Sequence, residues 1–204
     1  MKKYQHIIDN TKGFMAAEEG QGLFKYAQKA SKIGPGLEIG SYCGKSTIFL
    51  GAGFKNSNQV IFTIDHHRGS EEQQPGEEYF DPDLFDDRIK KIDTLKYLRD
   101  TLEKADLENT VIPIVSHSET VSISWATPLS LLFIDGSHTF ESAETDYRCW
   151  TPHLINNGYL LIHDIFPDPL KGGQAPYSIY KKALESGLFN EVEMIQTLGI
   201  LKRN

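Results

Sequence analysis

Leu37-Glu38-Ile39-Gly40-Ser41-Tyr42-Cys43-Gly44-Lys45-Ser46-Thr47 brings a strand end, a carboxylate, two glycines and a helix start together in one short stretch. An apolar strand running into a glycine turn aims backbone N–H groups, and the positive end of the next helix, at a bound anion. Gly40 and Gly44 let that backbone approach a ligand closely. The segment therefore predicts a cofactor pocket in an α/β sheet.

Spacing sorts the pockets it could make. A dinucleotide fingerprint needs Gly-x-Gly-x-x-Gly, and no glycine stands between Gly40 and Gly44. A P-loop needs a glycine where Ile39 stands, and Glu38 would repel a triphosphate; a P-loop-like nucleotide site stays an alternative. S-adenosylmethionine fits better. Its aminoacyl end needs an acceptor for the ammonium and a helix N-terminus for the carboxylate, tasks that suit Glu38 and Ser46.

Outward from this segment, strands and helices alternate. Residues 14–31 read as a helix stopped by Gly34-Pro35-Gly36, the first strand covers 37–40, and a helix follows over about 45–54. Val60 to Asp65 is a nearly continuous apolar run ending in an acid, the pattern of a buried parallel strand. Residues 66–82, acidic and bearing glycine and proline, are too long for an ordinary connection and read as a lid. From Asp81-Pro82, helical spacing of Leu84, Arg88, Ile89, Ile92, Leu95, Leu98 and Leu102 predicts one helix to about residue 105.

Further strands are expected at 111–115, 129–135 and 159–164, with helices near 118–124, from 137–139 onward and before Gly187, and a terminal hairpin over 190–203. Such alternation implies a Rossmann-like, doubly wound, mainly parallel sheet covered by helices on both faces. Ligands in such sheets bind beyond the carboxyl ends of the strands, where Glu38, Asp65, Ser116 to Glu119, Asp135 and His163-Asp164 fall. Residues 1–204 form one domain, with 1–35 as an N-terminal helical segment.

With 39% hydrophobic and 24% charged residues the chain can build a full-sized core. A net charge of -7 disfavours nucleic acid and anionic membrane surfaces as partners. The N-terminus lacks the apolar core of a secretion signal, so a cytoplasmic location is expected, with Cys43 and Cys149 as free thiols rather than a disulfide.

Glu38 to Ser46 resembles the first motif of the catechol and caffeoyl-CoA O-methyltransferases, within the class I S-adenosylmethionine-dependent methyltransferases. Leu132-Phe133-Ile134-Asp135-Gly136-Ser137-His138 is the second strong match, and Gly13-Phe14-Met15 with Glu19-Gly20 resembles a broad bacterial branch. The resemblance implies a seven-stranded sheet whose last strand is antiparallel, and methyl transfer to an oxygen, less favourably a nitrogen, of a small molecule.

It places Glu38, Gly40 and Ser46, with Ser41 and Tyr42 of the same turn, at the aminoacyl end of the donor. Asp65 takes the ribose, while Ser118 and Glu119, beside His117, take the adenine. Asp135 lies between cofactor and acceptor. His138 stands where those relatives carry a lysine base, and a helix start beside it would favour neutral imidazole. Asp135, His163 and Asp164 align with their magnesium ligands; imidazole in the set shifts selection from Mg²⁺ toward Mn²⁺, Fe²⁺ or Zn²⁺. Without a metal, His163 would orient the acceptor or pair with Asp164. The alternative reading of Asp135, His138, His163 and Asp164 is a metal-dependent hydrolase. Homo-oligomers are compatible with all of this.

Overall fold

The computed structural model describes residues 1–204. Its strands are β1 (Gly36–Ile39), β2 (Ile61–Asp65), β3 (Phe85–Asp86), β4 (Lys91–Ile92), β5 (Val111–Val115), β6 (Leu129–Ile134), β7 (Leu154–Ile162), β8 (Phe189–Ile195) and β9 (Leu198–Arg203). The α-helices are α1 (Gln5–Asn10), α2 (Ala17–Ala30), α3 (Lys45–Phe54), α4 (Leu95–Lys104), α5 (Ser118–Ser122), α6 (Phe140–Trp150) and α7 (Ala175–Glu185). None is long and apolar enough to cross a membrane.

Seven strands form one sheet in the order β5-β2-β1-β6-β7-β9-β8. All pairings up to β7 are parallel, and β9 inserts antiparallel between β7 and β8 because a tight turn at Gln196-Thr197 folds the terminal hairpin back on itself. This is the mainly parallel sheet that the sequence predicts, with the seven strands and antiparallel last strand that the resemblance implies.

Side chains alternate across the pleat and so feed two cores. Leu131, Phe133 and Leu161 pack with Leu23, Ile48 and Leu50 on one face, while Leu132, Ile134, Leu160 and Ile162 pack with Ala143, Tyr147, Trp150 and Ile179 on the other. Each such buried side chain contributes about 1.5–3 kcal/mol relative to exposure. Helices α2 and α3 approach so closely that a Cβ at Gly53 would lie 2.4 Å from the Cβ of Ala27.

Register then aligns the strand ends. Ile39 pairs with Ile64 on one side and Ile134 on the other, and Ile134 pairs with Ile162. Gly40, Asp65, Asp135 and His163 therefore leave the sheet at one level, around the switch point between β1 and β6.

Two expectations need correction. The single helix over 82–105 does not form: a short 3-10 turn at Pro82–Leu84 leads into the β3–β4 hairpin, and only Leu95–Lys104 is helical. Asp86 accepts bonds from the backbone and guanidinium of Arg88, and Asp87 pairs with Lys90, whose φ is 53°. Such local side-chain bonds compete with the helix ladder, and Ile89 is left exposed. The last parallel strand, expected at 159–164, begins at Leu154 and carries Asn157, at φ 66°, within it.

Candidate active site

A cavity of about 940 Å³ opens at the aligned strand ends, bordered by Gly40, Ser41, Tyr42, Ser46, Asp65, His117, Ser118, Glu119, Asp135, His138, His163 and Asp164. Gly40 sits at φ 89°, and a Cβ there would lie 2.1 Å from the carbonyl oxygen of Asp135. Only glycine lets β1 and β6 deliver their loops side by side. Gly44, also left-handed, starts α3, whose first turn points at the cavity.

Glu38 does not reach that cavity, contrary to its expected contact with the donor's ammonium. It is fully buried under the turn, accepting bonds from Ser46 Oγ (2.6 Å), Thr47 Oγ1 (2.7 Å) and Thr63 Oγ1 (2.7 Å). Ser46 borders the cavity, but its hydroxyl is committed to Glu38, so its backbone rather than its side chain is left for an anion. The pair braces the turn. Ser41, by contrast, is buried beside the cavity with an Oγ that has no protein partner.

Burial lifts the Glu38 carboxyl to about 7 against the pull of its three hydroxyl donors. A carboxyl raised from 4.5 in the unfolded chain stabilises the fold fully below that value and loses the contribution as pH climbs through 7. Glu38→Gln should therefore gain on wild type as pH rises from 5 to 8, by on the order of 3 kcal/mol at about 1.4 kcal/mol per pH unit. Thermal melting across that range checks it; a difference that does not change with pH contradicts it.

Asp65 closes β2 and uses its carboxylate on the turn as well, accepting from Tyr42 N (2.8 Å) and His67 N (2.6 Å), while still bordering the cavity. The two histidines after it diverge. His67 is buried against Thr94 Oγ1 (2.7 Å), whereas His66 borders the cavity and lies 4.6 Å, ring centre to ring centre, from His117. At the third strand end Ser118 gives its hydroxyl to Asp146, and Glu119 is exposed.

His163 is not the open metal ligand that the sequence suggests. It is 4% exposed and donates through both ring nitrogens, Nδ1 to Asp135 Oδ1 and Nε2 to Glu19 Oε2, each at 3.0 Å. Burial opposes its charge, but Asp135, Asp164 and Glu19 outweigh that and hold it as imidazolium. Glu19 is itself fixed by Thr197 N (2.9 Å) and Thr197 Oγ1 (2.7 Å) in the β8–β9 turn. The result is a buried carboxylate–imidazolium–carboxylate row joining α2, β7 and the end of β6.

His138 lies nearer the opening, with Nε2 3.1 Å from Asp164 Oδ2 and Nδ1 3.3 Å from Glu72 Oε2 of the 66–82 segment. The bond to Asp164 raises it to about 8 against its burial, so the expected bias toward neutral imidazole from the helix start is overridden. Glu71 of the same segment accepts from Ser137 (2.9 Å), and Lys12 ties the N-terminal segment to Asp81 and Asp83 at its end. Phe14 meets Tyr79 edge-on at 5.4 Å over the same opening. Cys43 is buried, its thiol pushed up to about 12, and takes no part.

The set that can hold a divalent cation is Asp135, His138 and Asp164, whose ligand atoms lie within 4.8 Å of one another; His138 replaces His163 in it. Sequence reasoning also gave no site role to Glu19, Glu72 and Asp146. Asp146 left a signal: it falls on the buried stripe of α6 with Ala143, Tyr147 and Trp150. Glu19 left one in the Glu19-Gly20 match, which gave it no role, and Glu72 left none beyond being acidic.

Residues 37–165 match a family described as a methyltransferase domain. Among solved structures, the O-methyltransferase NovP is 13% identical with a TM-score of 0.70, covering 92% of this chain and 80% of its own. The O-methyltransferase from Bacillus cereus in complex with SAH is 13% identical with a TM-score of 0.65, covering 100% of this chain and 90% of its own. TomG from Streptomyces achromogenes, an O-methyltransferase involved in tomaymycin synthesis and solved with SAM, is 13% identical with a TM-score of 0.65, covering 100% and 86%.

Proposed function

Because this chain belongs to the methyltransferase-domain family and is a class I S-adenosylmethionine-dependent methyltransferase, we propose that it methylates a hydroxyl oxygen of a small-molecule acceptor, with His138 as the base. The observation that carries this is the His138–Asp164 pair at the opening of the cavity, at the same sheet edge as the Gly40–Ser46 turn. The similar structures named above are O-methyltransferases, which supports oxygen over nitrogen.

A sulfonium already makes its methyl electrophilic, so the protein must mainly align acceptor and donor and remove one proton. In this reading the first turn of α3 holds the donor's carboxylate, and Ser41 Oγ finds its missing partner there. Asp65 keeps lone pairs for the ribose. Asp164 orients His138 so that Nδ1, released from Glu72 when the lid yields to substrate, takes the hydroxyl proton as the methyl leaves sulfur. The products are the methyl ether and S-adenosylhomocysteine, and the proton passes from His138 to solvent.

A second reading is favoured by the ligand spacing. Asp135, His138 and Asp164 suit a divalent cation such as Mn²⁺, which would polarise the acceptor hydroxyl as a Lewis acid. His138 cannot be ligand and base at once. Calorimetry should find binding of S-adenosylmethionine but not of ATP or NAD, and release of S-adenosylhomocysteine should be followed with a panel of small phenols and polyols. Turnover that survives EDTA keeps His138 as the base, whereas turnover lost to EDTA and restored by Mn²⁺ makes it a ligand. An absence of S-adenosylmethionine binding would sink both.

A further inference from the structure

We propose that Asp146 reads the 6-amino group of the donor's adenine and thereby sets the choice of nucleobase. The inference rests on the S-adenosylmethionine reading of the cavity. Asp146 is 4% exposed on α6 and borders the cavity beside Ser118, Glu119 and His117. Its Oδ1 accepts the Ser118 hydroxyl, but its Oδ2 has no hydrogen-bond partner in the protein. That oxygen lies against Gly136, where an added Cβ would come within 3.1 Å of it.

Most of this carboxylate is enclosed by protein, and Oδ2 is the oxygen left open to the cavity, free to accept from whatever fills it. Here the surroundings offer Ser118 and the repulsion of Glu119, and no cation. With the cavity filled by ligand and water displaced, the donor that meets Oδ2 comes from the ligand. On the donor molecule the ammonium and carboxylate belong to the Gly40–Ser46 end and the ribose hydroxyls to Asp65, at the end of the neighbouring strand β2. The adenine amino group is the remaining strong donor, at the end of the molecule nearest Ser118 and the His66–His117 ring pair.

Burial raises the Asp146 carboxyl to about 6, so it is mainly an ionised acceptor at neutral pH. Glu119, the acceptor that the sequence suggests, is exposed and competes with water. Discrimination therefore falls to Asp146, since an acceptor that a bound base shuts off from water, and that finds no donor on that base, is left unpaired.

Calorimetry with S-adenosylhomocysteine and S-inosylhomocysteine, whose base carries an oxygen in place of the amino group, tests this on wild type, Asp146→Asn and Glu119→Gln. Wild type and Glu119→Gln should prefer the adenine compound at least tenfold. Asp146→Asn keeps the Ser118 bond and can donate to the 6-oxygen, so the ratio should shrink at least tenfold or invert. An unchanged ratio in Asp146→Asn, with S-adenosylhomocysteine bound by wild type, overturns the proposal. A purine analogue lacking any 6-substituent tests it on wild type alone: at least tenfold weaker binding supports it, and equal affinity overturns it. Wild type that binds neither homocysteine compound overturns the donor reading and this inference with it.

Discussion

His138→Gln is expected to lower kcat by two to four orders of magnitude, the usual contribution of a positioned general base, while S-adenosylmethionine binds within a few-fold of wild type. The split follows from position. The side-chain partners of His138 are Asp164 and Glu72, neither of them part of the Gly40–Ser46 turn that would grip the donor's amino-acid end. Glutamine preserves much of the volume and one hydrogen bond but cannot accept and release a proton near neutral pH.

The pH profile sharpens the same expectation. The bond to Asp164 holds His138 at about 8 in the free protein, and only the neutral form is a base. The acceptor kcat/KM should therefore rise with pH up to about 8 and then level. In Asp164→Asn the rise should move toward the ordinary imidazole value of about 6.5. Rates are read from S-adenosylhomocysteine release and binding from calorimetry. A His138→Gln protein that turns over within threefold of wild type removes His138 from the chemistry.

Breaking the buried row around His163 should have the largest effect on stability. Glu19→Ala leaves an imidazolium without the carboxylate at its Nε2, with Asp135 and Asp164 on the Nδ1 side only, in a site only 4% exposed, and losing one partner of a buried ion pair costs about 3–5 kcal/mol. For a domain of this size that corresponds to a fall in Tm of roughly 6–20 °C, at about 2–4 °C per kcal/mol. His163→Ala should cost a similar amount, since it strands Glu19 and Asp135 together. The double variant should fall well short of the sum, because each single change destroys the same interaction. Denaturant and thermal midpoints of the three variants measure this. Single-variant losses below about 1 kcal/mol, or strict additivity, would show that the row carries no coupling.

The two expectations separate what the chain discloses locally from what it does not. The His138 position could be read because an apolar run ending in Asp135-Gly136-Ser137-His138 must end as a strand whose tip faces the ligand edge. Nothing local marks Glu19 as its distant neighbour's partner. It stands 144 positions from His163 along the chain, and only the packing of α2 against β7 and the terminal hairpin brings the two together.

The sequence by itself determined the alternation of strands and helices, the terminal hairpin and the edge where the polar groups gather. Those follow from short-range periodicity and from glycine and proline, which act within a few residues. The tertiary structure decided which polar groups face ligand and which face protein. Glu38 turns inward to three hydroxyls, His163 is clamped between carboxylates, and Asp146 keeps one oxygen toward the cavity. The same limit explains the lost helix at 82–105, where apolar spacing was right for a helix but neighbouring aspartates captured Arg88 and Lys90. Hydrogen-bond partners are chosen by register and by the meeting of remote segments, and a linear pattern holds no record of either.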